Sequence, residues 1–254
     1  MLRATSVAAA TNLALCASGY WSLSSAQAYA AGVTFDPASR SRLTSHDLYR
    51  FEGNTLFERV ARTLCEAGCV PRKELYEAWE VARRARRRFR GGRVVDLACG
   101  HALVAQLMLL LDDSSPSALA VDLKLPPSAF RVAECLGSAW PRLAGRVTLR
   151  EAKLESVSVE PDDVLVSCHA CGPLTDDVIE LALSVRAKVV VLPCCQSTSK
   201  CDLGGLAGWL EPALAIDVTR AAKLRAAGYH VHTQSIPVEI TPKNRLLLAA
   251  PATS

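Results

Sequence analysis

Hydrophobic and polar positions change their spacing twice along the chain, near residue 41 and near residue 91. Between these points apolar residues recur every three or four positions, which predicts helices after Ser45 and over 72–90. The apolar positions are Leu48, Phe51, Leu56, Val60 and Leu64 in the first stretch and Leu75, Trp79 and Ala82 in the second. The pattern therefore predicts a helical N-terminal extension over 41–90.

From residue 91 onward, short apolar runs alternate with helical segments. Strands are predicted at 93–98, 118–122, 147–150, 164–168, 188–192, 229–236 and 245–249, and helices at 103–111, 128–136, 176–185 and 218–227. Such alternation is typical of a parallel sheet with helices on both faces. The segment before the last strand is too short for a crossover helix, so the last two strands should pair antiparallel. We expect one α/β domain over 91–251: a three-layer, Rossmann-like, seven-stranded sheet, mostly parallel, with a C-terminal antiparallel hairpin.

Residues 1–40 follow neither pattern. The first 35 residues contain one basic residue, Arg3, no acidic residue, and many Ala, Ser and Thr. This composition suits either an organellar targeting peptide or a disordered tail. The first interpretation predicts a mitochondrial or plastid protein, and the second predicts a cytoplasmic one.

Composition narrows the class of protein further. Half of the 254 residues are hydrophobic and 21% are charged, which indicates a globular chain. The ten cysteines fall partly within apolar runs, so free thiols in a reducing, intracellular compartment are favoured over a disulfide framework. The formal charge of +4 permits an anionic partner without requiring one. No run of about 20 apolar residues is present, so no membrane partner is expected.

The segment Asp96-Leu-Ala-Cys-Gly-His-Ala102 lies where the first predicted strand turns into a helix. Open parallel sheets bind ligands at this edge, and Gly100 can adopt a positive φ that brings the backbone close to a ligand. Asp122 ends the second strand, 22 residues after Gly100. This spacing suits a carboxylate bonded to ribose hydroxyls. The candidate cofactor-binding residues here are Asp96, Ala98, Cys99, Gly100, His101 and Asp122.

These residues resemble the class I methyltransferases that use S-adenosylmethionine (SAM). Asp96-x-Ala98-x-Gly100-x-Ala102 is similar to the family's glycine-rich loop, and Asp122 matches its ribose-binding acid. The resemblance covers about residues 91–251 and implies SAM as the cofactor. Two of the usual three glycines are alanine here. The alternative, a nicotinamide-binding Rossmann domain, would need Gly-x-Gly-x-x-Gly and a further substrate domain.

The fourth strand ends in Cys168-His169-Ala-Cys171, at the position that faces the methyl group and its acceptor in that family. We therefore assign Cys168 to the cofactor site and name His169 and Cys171 as candidate catalytic residues. His169 could serve as a base or position the acceptor, and the alternative is a strand-end histidine bonded to the backbone. Thr175 or Asp176 is predicted to cap the next helix.

A Cys-Gly-x-x-Thr-Asp stretch followed by a Cys-Cys pair is similar to a methyltransferase branch that 2′-O-methylates the acceptor stem of tRNA. The matching residues are Cys171, Gly172, Thr175, Asp176, Cys194 and Cys195. The resemblance favours RNA, tRNA included, as the acceptor. The arginine segment, Arg83–Arg90, could then bind phosphates, although a solvated helix face is the alternative.

Two further alternatives concern the acceptor and the thiols. The protein could methylate a small molecule or a protein side chain, or bind SAM or a nucleoside without catalysis. We expect the thiols to line a pocket and to hold no metal. The spacing of Cys168 and Cys171 leaves a zinc or iron–sulfur site as the other possibility, with Cys194, Cys195, Cys201 and His169 nearby in the sequence.

Overall fold

A seven-stranded sheet runs through the structure, a computed structural model that describes residues 35–252. The strands are β1 (Val94–Leu97), β2 (Ala118–Asp122), β3 (Val147–Glu151), β4 (Val164–Ser167), β5 (Lys188–Val191), β6 (Tyr229–Ser235) and β7 (Arg245–Pro251). Their order is β3-β2-β1-β4-β5-β7-β6. The first five strands are parallel, and β7 is antiparallel to both β5 and β6. The predicted fold, including the antiparallel hairpin, is confirmed.

The α-helices of the described chain are α1 (Leu56–Ala67), α2 (Arg72–Arg88), α3 (Leu103–Leu111), α4 (Pro127–Ala139), α5 (Pro173–Val185) and α6 (Pro212–Ala226). Short 3₁₀ turns lie at Ser45–Arg50, Pro141–Leu143 and Leu154–Ser156. No helix among the described residues is long and apolar enough to cross a membrane.

Two expectations about helices were wrong in their bounds. The apolar spacing after Ser45 does not form one helix, because a 3₁₀ turn ends at Arg50 and α1 begins only at Leu56, capped by Thr55. The Thr55 hydroxyl accepts from Glu58 N, and the Glu58 carboxylate accepts from Thr55 N. This reciprocal capping starts a new helix. Helix α6 begins at Pro212 rather than near 218, since Glu211 caps it.

The N-terminal tail predicted over residues 1–40 falls mostly outside the described residues. One compact unit begins at Pro37, and the carbonyl of Ser39 accepts from Lys73 N at 3.0 Å. The proposed division between the helical extension and the domain at residue 90 stays a prediction.

The arginine segment does not form one solvated face. Arg83 and Arg84 both pair with the buried Glu80 carboxylate. Arg86 is only 2% exposed, so it cannot contact an external phosphate. Arg87, Arg88 and Arg90 are the exposed members.

Arg86 docks α2 on α3 and on the connection between α3 and β2. Its Nε donates to Met108 O at 3.0 Å, and its Nη2 donates to Ser115 Oγ at 2.7 Å. Its Nη1 lies 3.4 Å from the buried Asp112 carboxylate. Burial lowers the pKa of Arg86 to about 10, so the guanidinium stays charged at neutral pH. A buried cation with these partners fixes the position of the helix.

We expect Arg86→Ala to lower the free energy of unfolding by about 3–5 kcal/mol, because it leaves Asp112 buried without its main cation. Arg87→Ala, one residue along and exposed, should change it by less than about 0.5 kcal/mol. Urea unfolding followed by circular dichroism measures both. Equal effects for the two variants would contradict the docking role.

Candidate functional site

The loop after β1 is tied to the tip of β2. Gly100 N donates to the Asp122 carboxylate at 2.9 Å, and Cys99 N donates to Val121 O at 3.1 Å. These two bonds hold the loop at the carboxyl edge of the sheet, beside the point where strand order reverses between β1 and β4. Ligands of open α/β sheets bind at this point.

The loop keeps the left-handed backbone conformation that glycine favours, although two of its residues are alanine. Ala98, Gly100 and Ala102 have φ angles of 56°, 53° and 57°. The left-handed conformation costs a non-glycine residue about 1–2 kcal/mol, so the surrounding bonds impose it on both alanines. A Cβ added at Gly100 would meet no protein atom within 4 Å. The open space at Gly100 therefore faces away from the protein, where a ligand can approach the backbone.

Asp96 has a structural role in the interior of the protein. It is 1% exposed, and its carboxylate accepts from Ala105 N at 3.1 Å, in the first turn of α3. Burial raises the pKa of Asp96 well above its usual range, and burial likewise raises that of the neighbouring Cys99 thiol. Asp96 therefore holds the start of α3, while Asp122 remains the accessible carboxylate of the pair.

Helix α2 supplies two carboxylates that the sequence reasoning missed. Glu74 contacts His101 Nδ1 at 2.8 Å. Glu77, 2% exposed, has one oxygen 2.7 Å from Lys73 Nζ and the other 3.7 Å from His169 Nε2. The available signal was the spacing of three residues, which places both acids on one helix face, but the arginines of the same helix obscured it.

His169 lies at the carboxyl end of β4, with 40% of its side chain exposed. It can thus reach both solvent and the Glu77 carboxylate. Cys168, one residue earlier, is buried, and burial raises the pKa of its thiol. The structure places these two residues on the same sheet edge as Gly100 and Asp122, and their assigned roles stay predictions.

The capping role expected of Thr175 or Asp176 was wrong. Gly172, with φ 58° and ψ −126°, is the N-cap of α5, and both predicted residues lie inside the helix. The Thr175 hydroxyl donates to Ala170 O. Asp176 instead accepts two bonds from the buried guanidinium of Arg220, at 2.7 and 2.9 Å. A long-range ion pair has taken the place of a local cap.

Three thiols meet where β4 and β5 end. The Sγ atoms of Cys171, Cys194 and Cys195 all lie within 4.8 Å of one another, and those of Cys171 and Cys194 are 3.0 Å apart. All three are free thiols. Burial raises the pKa of both Cys171 and Cys194. Cys168 and His169 are not part of this group, so the Cys168–Cys171 spacing did not identify it.

The arginine segment does not lie at the carboxyl edge of the sheet. Arg88 lies eleven residues beyond Glu77 on α2, which corresponds to about 16 Å along the helix axis. The segment leads into the amino end of β1, whereas the candidate site lies at the carboxyl end. Any role for these arginines is therefore at a distance from His169.

A family model described as a methyltransferase domain matches residues 73–201, just over half of the chain. The matched segment includes Glu74, Glu77, the loop after β1, Asp122 and the three clustered thiols. Among curated protein sequences, none matches the chain.

Several solved structures are similar to this chain. An O-methyltransferase family protein from Burkholderia thailandensis is 18% identical over 84% of this chain and 64% of its own, with a TM-score of 0.48. A Bacillus subtilis tRNA methyltransferase is 17% identical over 70% and 66%, with a TM-score of 0.47. A Mycoplasma capricolum relative of it, solved with S-adenosyl-homocysteine, is 10% identical over 67% and 66%, with a TM-score of 0.44. The chain spans slightly under two thirds of the length of each.

Proposed function

The chain belongs to the methyltransferase domain family, and from this premise we propose that it transfers a methyl group from SAM to an RNA acceptor. The observation that carries the proposal is the bond between Gly100 N and the Asp122 carboxylate at the strand-order reversal. It places an accessible carboxylate beside a backbone turn that a ligand can approach.

The residues at this edge suit SAM. The space beside Gly100 admits a ligand against the backbone, and the Asp122 carboxylate can accept bonds from two ribose hydroxyls. His101, held by Glu74, borders the same loop. These contacts would hold the nucleoside part, and Cys168 at the end of β4 would lie toward the methionine part.

When bound, SAM supplies a methyl group already activated on a sulfonium. The protein then needs chiefly to hold the acceptor in line and remove its proton. His169 Nδ1, the ring nitrogen other than the one beside Glu77, is the atom proposed to take the proton from an acceptor hydroxyl or amine. Glu77 lies 3.7 Å from Nε2, so its carboxylate can orient the ring through that nitrogen and stabilise the cation that forms. Glu77 is thus a positioning residue in this proposal.

Two features support RNA as the acceptor. Trp209 is 89% exposed and lies just before α6, on the long connection that follows the carboxyl end of β5. An exposed indole at the acceptor edge suits stacking with an unpaired base. The exposed Arg87, Arg88 and Arg90 could hold the phosphates of an RNA large enough to reach across α2. The similarity of Cys171-Gly172 and Cys194-Cys195 to the tRNA-modifying branch makes tRNA the first RNA to test.

Asp122→Ala should weaken SAM binding at least about tenfold, because loss of charge-assisted bonds costs roughly 1.5–3 kcal/mol. The wild type should bind with a micromolar dissociation constant, measured by calorimetry. Asp162→Ala removes an exposed carboxylate beside the amino end of β4 and should leave the affinity unchanged. Tight binding of NADH without SAM binding would overturn the assignment.

His169→Ala should reduce turnover by about 10²–10⁴-fold while SAM affinity holds. The assay is transfer of a labelled methyl group to total RNA from cells that lack the protein. His230→Ala, an exposed histidine on β6, is the matched control and should leave turnover unchanged. Glu77→Gln should give a smaller loss in kcat than His169→Ala. Wild-type turnover in His169→Ala would leave that residue a strand-end histidine.

Changing Arg87, Arg88 and Arg90 together to Gln should lower RNA affinity and reduce the salt slope by up to about 2–3, since each phosphate contact contributes about 0.7–0.9. Filter binding of tRNA over a salt series measures both quantities. SAM affinity should not move. Arg131, Arg225 and Lys243 are exposed elsewhere, and their joint change to Gln controls for net charge.

Trp209→Ala tests the proposed stacking contact with a base separately from the phosphate contacts of the arginines. We expect it to weaken RNA binding by about tenfold, in line with the loss of one stacked base at about 1–3 kcal/mol, with little effect on the salt slope. If neither change affects RNA binding, and a small molecule or protein is methylated instead, the RNA acceptor is wrong while methyl transfer stands.

A further inference from the structure

The three thiols of Cys171, Cys194 and Cys195 form a cluster. Cys171 alone among them is a candidate catalytic residue, and that role stays a prediction. They come from two connections that are distant in sequence, the one after β4 and the one after β5. Cys171 and Cys195 are exposed, and Cys194 is partly exposed. The cluster is therefore open to solvent on one side and built against the sheet edge on the other.

The separations suit a soft cation. Zinc bonds to thiolate sulfur at about 2.3 Å in a tetrahedral arrangement, which places the sulfurs about 3.8 Å apart. The sulfurs of Cys171 and Cys194 lie 3.0 Å apart, and no two of the three sulfurs are more than 4.8 Å apart. The three sulfurs are therefore close enough to one another to share one cation.

The backbone around the cluster is already fixed without a metal. Gly172 N donates to Cys195 O at 2.7 Å, which joins the two connections directly beside the thiols. The buried guanidinium of Arg220 donates to Gly172 O at 2.9 Å and contacts Cys201 Sγ at 3.7 Å. Hydrogen bonds around a site hold its ligand residues in place.

We propose that Cys171, Cys194 and Cys195 bind one soft divalent cation of the Zn²⁺ class, with the fourth coordination position facing solvent. Three protein ligands and one open position are typical of zinc sites that hold a water or an exchangeable ligand. The cation joins the connections after β4 and β5, which carry the three thiols. The expectation from the sequence, that the thiols only line a pocket, is the alternative that the test below decides.

The test is metal binding to the reduced, full-length protein, first stripped with a chelator without oxygen. Co²⁺ as a probe should give a thiolate charge-transfer band that saturates at one equivalent, and Zn²⁺ should displace it. Cys171→Ser and Cys195→Ser, at exposed positions, should each weaken Zn²⁺ binding at least about tenfold. Cys135→Ser, a thiol on α4 outside the cluster, should bind Zn²⁺ as tightly as wild type.

Circular dichroism checks that each variant is folded, and mass spectrometry counts thiols and disulfides. The proposal is overturned if wild-type protein gives no charge-transfer band, or if both cluster variants keep wild-type affinity. A Cys171–Cys194 disulfide in protein that binds no metal would also overturn it and would indicate a redox pair. Methyl transfer enters none of these measurements, so their outcome is independent of the proposed function.

Discussion

Parallel pairing of the first five strands in spatial order, β3 to β5, is the constraint on which the site depends. A parallel sheet covered by helices on both faces has apolar side chains along its strands, as Val164–Ser167 and Lys188–Val191 show in their burial. Most polar and reactive side chains then gather at or near the strand ends, and the buried Asp96 lies close to the end of β1. Because parallel strands end on one edge, Asp122, His169 and the clustered thiols are gathered there from separate parts of the chain.

Helix α2 extends this edge with carboxylates from outside the sheet. Its C-terminal half is held by the Arg86 guanidinium among Met108 O, Ser115 and Asp112. Its N-terminal half brings Glu74 to His101 and Glu77 to His169. One helix thus combines a structural cation with two site carboxylates, and the family match, which begins at residue 73, includes both parts.

The connections after β4 and β5 depend on Arg220 in a comparable way. This buried residue pairs with Asp176, lies 3.3 Å from Asp217 and donates to Gly172 O. It therefore joins α5, α6 and the connection after β4. The pairs with Asp176 and Asp217 hold the guanidinium in place. From there it donates to Gly172 O and contacts Cys201 Sγ, which links it to both connections.

The sequence by itself determined the fold class. The alternation of apolar strands and helices after residue 91, and the short connection before Arg245, are local patterns that set strand direction and the final hairpin. Gly100 and Asp122 could be found from spacing alone, because strand ends and turns have residue preferences that are visible locally. Their roles in binding SAM stay predictions.

Only the tertiary structure decided which side chains meet. It separated the arginines into buried, paired and exposed members, placed Glu77 beside His169, and grouped Cys171 with Cys194 and Cys195 rather than with Cys168. It also showed that Asp176 pairs with Arg220 instead of capping α5. Apart from the pairs of Arg83 and Arg84 with Glu80 on the same helix, these contacts join residues from different elements. A local pattern in the sequence does not show which distant residues meet. These contacts depend on burial and on pairing between distant residues, and both arise only when the chain is packed.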